Sequence, residues 1–321
     1  MATYYWTNYG EMPGQWEHQA NWSLSEGGSP APSYPGYGDT VIIPNGYGEI
    51  TSLSTAPEMT TQYVTIAKLI VNSSYGINPG YDPDTGYSIY MYITCDTAIF
   101  QGSTGPRYNV TFYADCELSG YWCSNDGTIN GSATFSGDGS RNSGYISGWN
   151  PGDIATFSGS GSYNQSYIGG HATFSGYQSR NSGYQNSGDV LFSGSGSYND
   201  TGGNIYGYTL FKNGAYNLGS IYAECRFEGD GCYNQGSVGP SWSNNCYFAY
   251  NTENAIGGTV TGIATFAGEV SRNKGTVNGV AVFSGTGSSN TGTVNGALLA
   301  FTPNVNITGT RYPLDVLGAG I

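Results

Sequence analysis

Four charged residues lie close enough in the sequence to do chemistry together. Arg226, Glu228 and Asp230 alternate along one segment, and Lys212 stands sixteen residues before Glu228. An acid, a base and a cation on one surface would suit proton abstraction from a uronate polymer. The same residues also make a surface salt-bridge ladder, Lys212–Glu228 and Arg226–Glu228, in which each pair contributes about 0–1 kcal/mol. The ladder is the favoured reading. The remaining inventory is thin. His18 and His171 are the two histidines, and His171 precedes Ala172-Thr173-Phe174 at an outward or corner position. Such a residue is more often solvated structure than a catalyst. No G-x-S-x-G elbow, phosphate loop or histidine metal motif occurs. Glycoside hydrolysis needs two facing carboxylates, and acidic residues are sparse in the repeats described below. Asp82, Asp84 and Gly86 resemble part of a calcium loop, but its later ligands are missing. No catalytic residue, metal or cofactor is therefore expected, with calcium at Asp82 and Asp84 as the weaker alternative.

Aromatic and guanidinium groups carry a stronger pattern. Arg141, Tyr163, Arg180, Tyr198, Tyr216 and Tyr233, followed by Glu253 and Arg272, each stand immediately before a recurring Asn. Two inserts near one corner of the repeat, GWNPG and GPSWSNN, add Trp149 and Trp242. Stacked about 4.8 Å apart, these side chains form an outward stripe able to contact sugar rings. Alternatively they pack on each other through aromatic and cation–π contacts.

The elements that position this stripe follow from an internal repeat. The phrase ATFSG recurs, and a ladder of anchors runs through Leu118, Phe135, Phe157, Phe174, Phe192, Phe211, Phe227, Phe248, Phe266, Phe283 and Phe301, in steps of 16 to 22 residues. Six or seven residues after the first ten anchors come Asn125, Asn142, Asn164, Asn181, Asn199, Asn217, Asn234, Asn254, Asn273 and Asn290. Many of these are followed four residues later by Ile or Val. In a strand, alternate side chains face opposite sides. Phe and the small residue two before it then point inward, while the flanking Thr and Ser point outward. Gly, Asn and Ser supply corners. The repeat predicts an all-β, single-chain β-solenoid (β-helix) of coils about 17–18 residues long, about eleven or more in number, with N- and C-terminal caps. At about 4.8 Å per coil the rod would be about 50 Å long. The recurrent Asn should form a ladder of amide hydrogen bonds.

The six Cys fit this repeat. Cys116, Cys225 and Cys246 occupy the small inward slot, and Cys123 and Cys232 stand two before a ladder Asn. The seven-residue spacing of Cys116/Cys123 and Cys225/Cys232 is not a zinc spacing. Free buried thiols are favoured, with disulfides between stacked coils as the alternative.

Composition agrees. Gly reaches 52 of 321 residues, yet only 10% are charged, too few for a solvated disordered chain. The net charge is −13 without a basic stripe, so nucleic acid is not an expected partner. No apolar run is long enough to span a bilayer, and MATYYWTNYGEMPGQW lacks the features of a signal peptide.

The opening carries more. Tyr4-Tyr5-Trp6, Trp16, Asn21-Trp22-Ser23, Gly27-Gly28 and Pro35…Gly38-Asp39-Thr40-Val41 form a pattern that resembles the start of a diffuse group of phage and metagenomic β-helix proteins. Thr7–Pro13 departs from the compact Gly turn usual there. That resemblance implies a virion surface or fibre protein, and related openings occur in bacterial adhesins. It implies no common activity. The expected organisation is a cap or attachment module over 1–60, wider starting coils over 61–110, regular Phe/Asn/Gly coils over 111–305 and a cap or docking tail over 306–321. The expected function is a non-enzymatic structural or adhesive rod, at the virion surface or otherwise extracellular. Expected partners are other virion or filament subunits, further copies of the chain, or a host glycan. The competing readings are a polysaccharide-degrading lyase or glycosidase, a bacterial adhesin, and an ice-binding solenoid. An ice-binder would need a regular Thr array, and Leu191, Leu210, Arg226 and Tyr247 interrupt the Thr134/Thr156/Thr173/Thr265 column.

Overall fold

Alternation within the ATF triplet decides what lies inside each coil. In Ala133–Phe135 the Ala and Phe are buried and the Thr between them is half-exposed. The same pattern recurs in Ile154–Phe157 and His171–Phe174. The computed structural model describes residues 1–9, 14–48, 50–51, 61–72, 77, 90–102, 110–148, 150, 152–185, 188–228, 231–239, 245–248, 257–268, 270–301 and 306–312. The chain is an all-β solenoid of parallel stacked strands. Among the described residues the only helix is a single 3-10 turn, Gln19–Asn21. No described helix is long and apolar enough to cross a membrane. Trp149, Trp242, Asn254, Glu253, Asp230 and the Asp82/Asp84 loop lie outside the described residues.

The chain divides into two units, Met1–Gly170 and His171–Ile321. In the first, the opening strand Thr3–Trp6 pairs antiparallel with Trp22–Ser23 and parallel with Thr40–Ile43. Trp6, Trp16 and Trp22 are all buried, with ring centroids 4.9 and 4.7 Å apart in edge-on contact. Each indole N–H donates to a carbonyl: Trp6 to Gly48, Trp16 to Pro35 and Trp22 to Trp16. Asp39 pins the next strand by accepting from the Ala2 and Gly36 amides. The residues that carry the family resemblance thus build the core and staple of this module.

Thr40–Ile43 carries this parallel pairing onward. It pairs with Lys68–Val71, which pairs with the second half of Tyr90–Phe100, and that in turn with Val110–Leu118. Ile43, Val71 and Phe100 therefore precede Leu118 in the anchor column, at steps of 28, 29 and 18 residues. A second inward column runs Ile93, Phe112, Ile129, Ile146 and Ile168. A third carries Asn125, Asn142 and Asn164.

The second unit repeats this three-strand coil. Its anchor column includes Phe174, Phe192, Phe211 and Phe227, with neighbouring centroids 4.5–4.8 Å apart and interplanar angles of 3–10°. Isolated aromatic pairs prefer offset or edge-on contact. Here strand spacing imposes face-to-face stacking. Gln185 occupies an inward slot opposite Ile205, where its Nε2 donates to the Gly188 carbonyl. At the last Phe position the sequence expectation fails. Phe283 pairs with Ala300, Leu298 fills the small slot, and Phe301 is 66% exposed. The inward position falls ten residues after the ladder Asn in coils without an insertion, as from Asn273 to Phe283. Ten after Asn290 is Ala300, and a one-residue slip reverses the face. Parallel pairing continues beyond it, through Asn306–Ile307 and Arg311–Tyr312.

The asparagines form the expected ladder. Nδ2 of each donates to Oδ1 of the next: Asn125 to Asn142 to Asn164 in the first unit, and Asn181 to Asn199 to Asn217 to Asn234, then Asn273 to Asn290, in the second, at 2.7–2.9 Å. In several of them the second amide proton goes to a backbone carbonyl in the same coil, as at Gly203 for Asn199 and Gly219 for Asn217.

Phe192 is stacked on both faces. Phe192→Ala should cost about 3–5 kcal/mol and Phe192→Leu much less. Denaturant titration measures both, and equal midpoints for the two would contradict the inward column. Asn199→Ala orphans the buried amides of Asn181 and Asn217, at about 1–3 kcal/mol each. Asn199→Asp places a carboxylate against the Asn217 carbonyl oxygen and cannot donate to it. Its carboxyl pKa should rise above the usual value of about 3.9. Its destabilisation should therefore shrink as pH falls and the acid protonates. Melting curves at neutral and acid pH check this, and a pH-independent deficit would oppose it.

Candidate functional site: the arginine and tyrosine face

Each stripe residue belongs to a two-residue strand ending in the ladder Asn. Because the Asn points inward, the residue before it points outward. Arg141 pairs with Tyr163 in the first unit, and Arg180, Tyr198, Tyr216 and Tyr233 pair in sequence in the second. Arg272 lies farther along that unit, opposite Ser289. All seven are half-buried.

The three tyrosines stack face to face, with centroids 4.9 and 4.7 Å apart and interplanar angles of 5°. Tyr216 is covered on both faces. Burial, then the neighbouring phenols, pushes its pKa up, and burial does the same to Tyr233. Arg180 approaches the Tyr198 hydroxyl at 3.5 Å and Asp200 at 3.9 Å. Tyr216 therefore offers a ring edge and a hydroxyl rather than a free ring face, with the Arg180 guanidinium beside the stack. This suits hydrogen bonding along a surface more than the stacking of sugars on successive rings.

The charged cluster resolves into pairs. Lys212 lies opposite Glu228 on adjacent strands with its Nζ 3.7 Å from the carboxylate, and Arg226 holds the other carboxylate oxygen from its own strand. These are the two pairs of the surface ladder. Nδ1 of His171 accepts the Asp189 amide at 3.0 Å, a structural bond between coils. Among the described residues no group of three His, Cys, Asp or Glu side chains is placed to hold a metal.

All six cysteines are buried, and Cys95, Cys116, Cys225 and Cys246 are free thiols. Cys225 and Cys246 occupy matching slots on paired strands with their sulfurs 3.0 Å apart. Burial pushes the Cys95 thiol up to about 12, assisted by Asp96. Cys116 and Cys246 are raised well above the ordinary 9.0, both chiefly by burial. Burial in the inward slot disfavours the thiolate at each of the three.

Further tyrosine columns lie on a different strand, where the sequence reasoning did not look. Tyr63 stacks on Tyr92 and Tyr145 on Tyr167 in the first unit, and Tyr206 stacks on Tyr222 in the second. The signal was present: Tyr145 and Tyr167 each stand three residues after a ladder Asn. The Thr column that an ice-binder would need mixes Thr173 with Leu191, Leu210 and Arg226 in the pairing register. No family model, curated protein or solved structure matches the chain.

A thiol whose folded-state pKa is raised stabilises the fold while neutral. That contribution is complete below pH 9.0 and is lost as pH climbs toward the folded-state values, about 12 for Cys95. The melting temperature should therefore fall above pH 9.0. A Cys95→Ala/Cys116→Ala/Cys246→Ala variant should fall less steeply. Identical slopes would show that the thiols do not contribute.

Proposed function

We propose that this chain is a non-enzymatic structural and adhesive solenoid on the surface of a virion, as a phage fibre or decoration protein, with glycan contact through its Arg/Tyr/Trp face. One observation carries this reading. The conspicuous polar and aromatic groups of the regular coils engage their own counterparts one coil away, as in Asn199–Asn217 and Tyr198–Tyr216. Side chains used in this way stiffen a scaffold. The resemblance of the opening supports the virion setting, and its tryptophans supply a folded module for attachment. The net charge of −13 favours neutral glycans or basic protein patches as partners.

Polysaccharide cleavage is the second reading, and one hollow favours it. Asp115 and Glu117 line a recess of about 240 Å³ with Thr97, Ser132 and Thr134. Asp115 already accepts the Ser132 amide at 2.9 Å, which ties one of the two carboxylates to structure.

Antibody against the chain should label intact particles from its source. The protein should retain host cells or glycans without releasing reducing ends or unsaturated uronates from a polysaccharide panel. A Tyr198→Ala/Tyr216→Ala/Trp242→Ala variant should lose binding at an unchanged melting temperature. Product release abolished by Glu117→Gln would instead establish an enzyme. Retention unaffected by the triple variant would leave this face structural.

A further inference from the structure

One outward column of the first unit is a tyrosine stack with an interruption. In register it reads Tyr63, Tyr92, Thr111, Thr128, Tyr145, Tyr167. Tyr63 and Tyr92 stack at 4.9 Å and 20°, and Tyr145 and Tyr167 at 4.4 Å and 4°. Between the two pairs, two successive coils carry threonine. Tyr92 and Tyr145 are thus three coil steps apart, or about 14 Å. Each has one ring face against its stacking partner and the other toward the gap. A cavity of about 470 Å³ lies here, lined by both rings, both threonines, Tyr90 and Asp126. That volume falls within the range of about 300–1,000 Å³ usual for small-molecule sites. Tyr145 is 42% exposed and Tyr92 is half-buried, with Tyr90, two residues before it, 46% exposed.

We propose that this gap is a binding site for a short neutral oligosaccharide, held between the facing rings of Tyr92 and Tyr145 over the Thr111/Thr128 floor. Aromatic faces are electron-rich and suit the C–H faces of pyranose rings. The floor offers two hydroxyls, and Ser143 and Ser166 line the same cavity. Asp126 accepts from the Ser124 hydroxyl at 3.0 Å. A carboxylate has about four lone-pair sites, so it can also accept from sugar hydroxyls. That carboxylate and the net charge of −13 disfavour uronates, sialylated glycans and nucleotides. Outer stacking partners hold both rings in place, so binding freezes little side-chain motion. The contrast with the second unit's stripe is physical. Tyr216 has no free face, whereas Tyr92 and Tyr145 each retain one because the next coil carries threonine.

This site is a glycan contact separate from the Arg/Tyr/Trp face, and only its biological use rests on the adhesive reading above. The test is calorimetric titration of the full chain with cellotriose, maltotriose and N,N′,N″-triacetylchitotriose. Trigalacturonate and a proline-rich peptide serve as competitors for the site. At least one neutral trisaccharide should bind. Thr128→Tyr extends the stack into the gap and should weaken that binding at least tenfold without lowering the melting temperature. Tyr145→Ala and Asp126→Asn should each weaken it, and Tyr206→Ala, in a tyrosine column of the second unit, should leave it unchanged. If Thr128→Tyr destabilises the fold, Thr128→Val tests the floor hydroxyl with little change in volume and should still weaken binding. Binding of none of the three trisaccharides overturns the site. So does binding that survives both Thr128 variants, or a preference for trigalacturonate or the peptide. A chain that labels particles yet binds no trisaccharide loses the groove and keeps the scaffold reading, and the opposite result separates them the other way.

Discussion

In-register parallel stacking places each residue about 4.8 Å from its counterpart in the next coil, and the rest of the structure answers to that spacing. A side chain survives in such a column only if it tolerates a near-copy of itself. Phe does, by dispersion between faces, as in Phe192 between Phe174 and Phe211. Asn does because one amide carries both donor and acceptor, so Asn181, Asn199 and Asn217 chain without an orphaned group. Buried thiols do, as at Cys225 and Cys246. Like charges do not. Charged residues are accordingly only 10% of the chain, and Lys212 meets Glu228 rather than another Lys.

The same spacing governs the corners. A Cβ on Gly137 would lie 2.0 Å from the Gly120 carbonyl oxygen, and one on Gly279 2.1 Å from that of Gly262. Gly279 also has φ near +144°, a conformation that side chains resist. Much of the glycine content therefore reflects backbone-to-backbone contact between successive coils. It does not signal a flexible linker, because these glycines sit where carbonyls of the previous coil leave no room for a side chain.

Self-stacking also bears on recognition. A ring covered on both faces has only its edge to offer, which limits an uninterrupted tyrosine column as a sugar platform. Breaks in a column leave ring faces uncovered. Thr111 and Thr128 make such a break, with tyrosines held rigidly on either side. Regularity supports the scaffold, and departures from it are where a ligand can enter.

By itself the sequence determined the solenoid, the inward Phe and Asn columns, the outward Arg/Tyr stripe, the salt-bridge pairs and the buried setting of the thiols. These follow from a local period that each coil restates, so alternation along one strand predicts the face of every residue. Contacts between unequal coils decided the rest. Ile43, Val71 and Phe100 join the anchor column only when strands separated by 28 and 29 residues pair, a spacing the shorter repeat conceals. Phe301 matches the anchor spacing in sequence, yet pairing of Phe283 with Ala300 turns it outward. Tyr92 and Tyr145 stand 53 residues apart with no motif linking them. Only the register, carried through Thr111 and Thr128, sets their rings facing across one cavity. The physical reason is that a strand's own pattern fixes which side a residue faces, while its neighbours in a column are chosen by loop length and pairing in the folded chain.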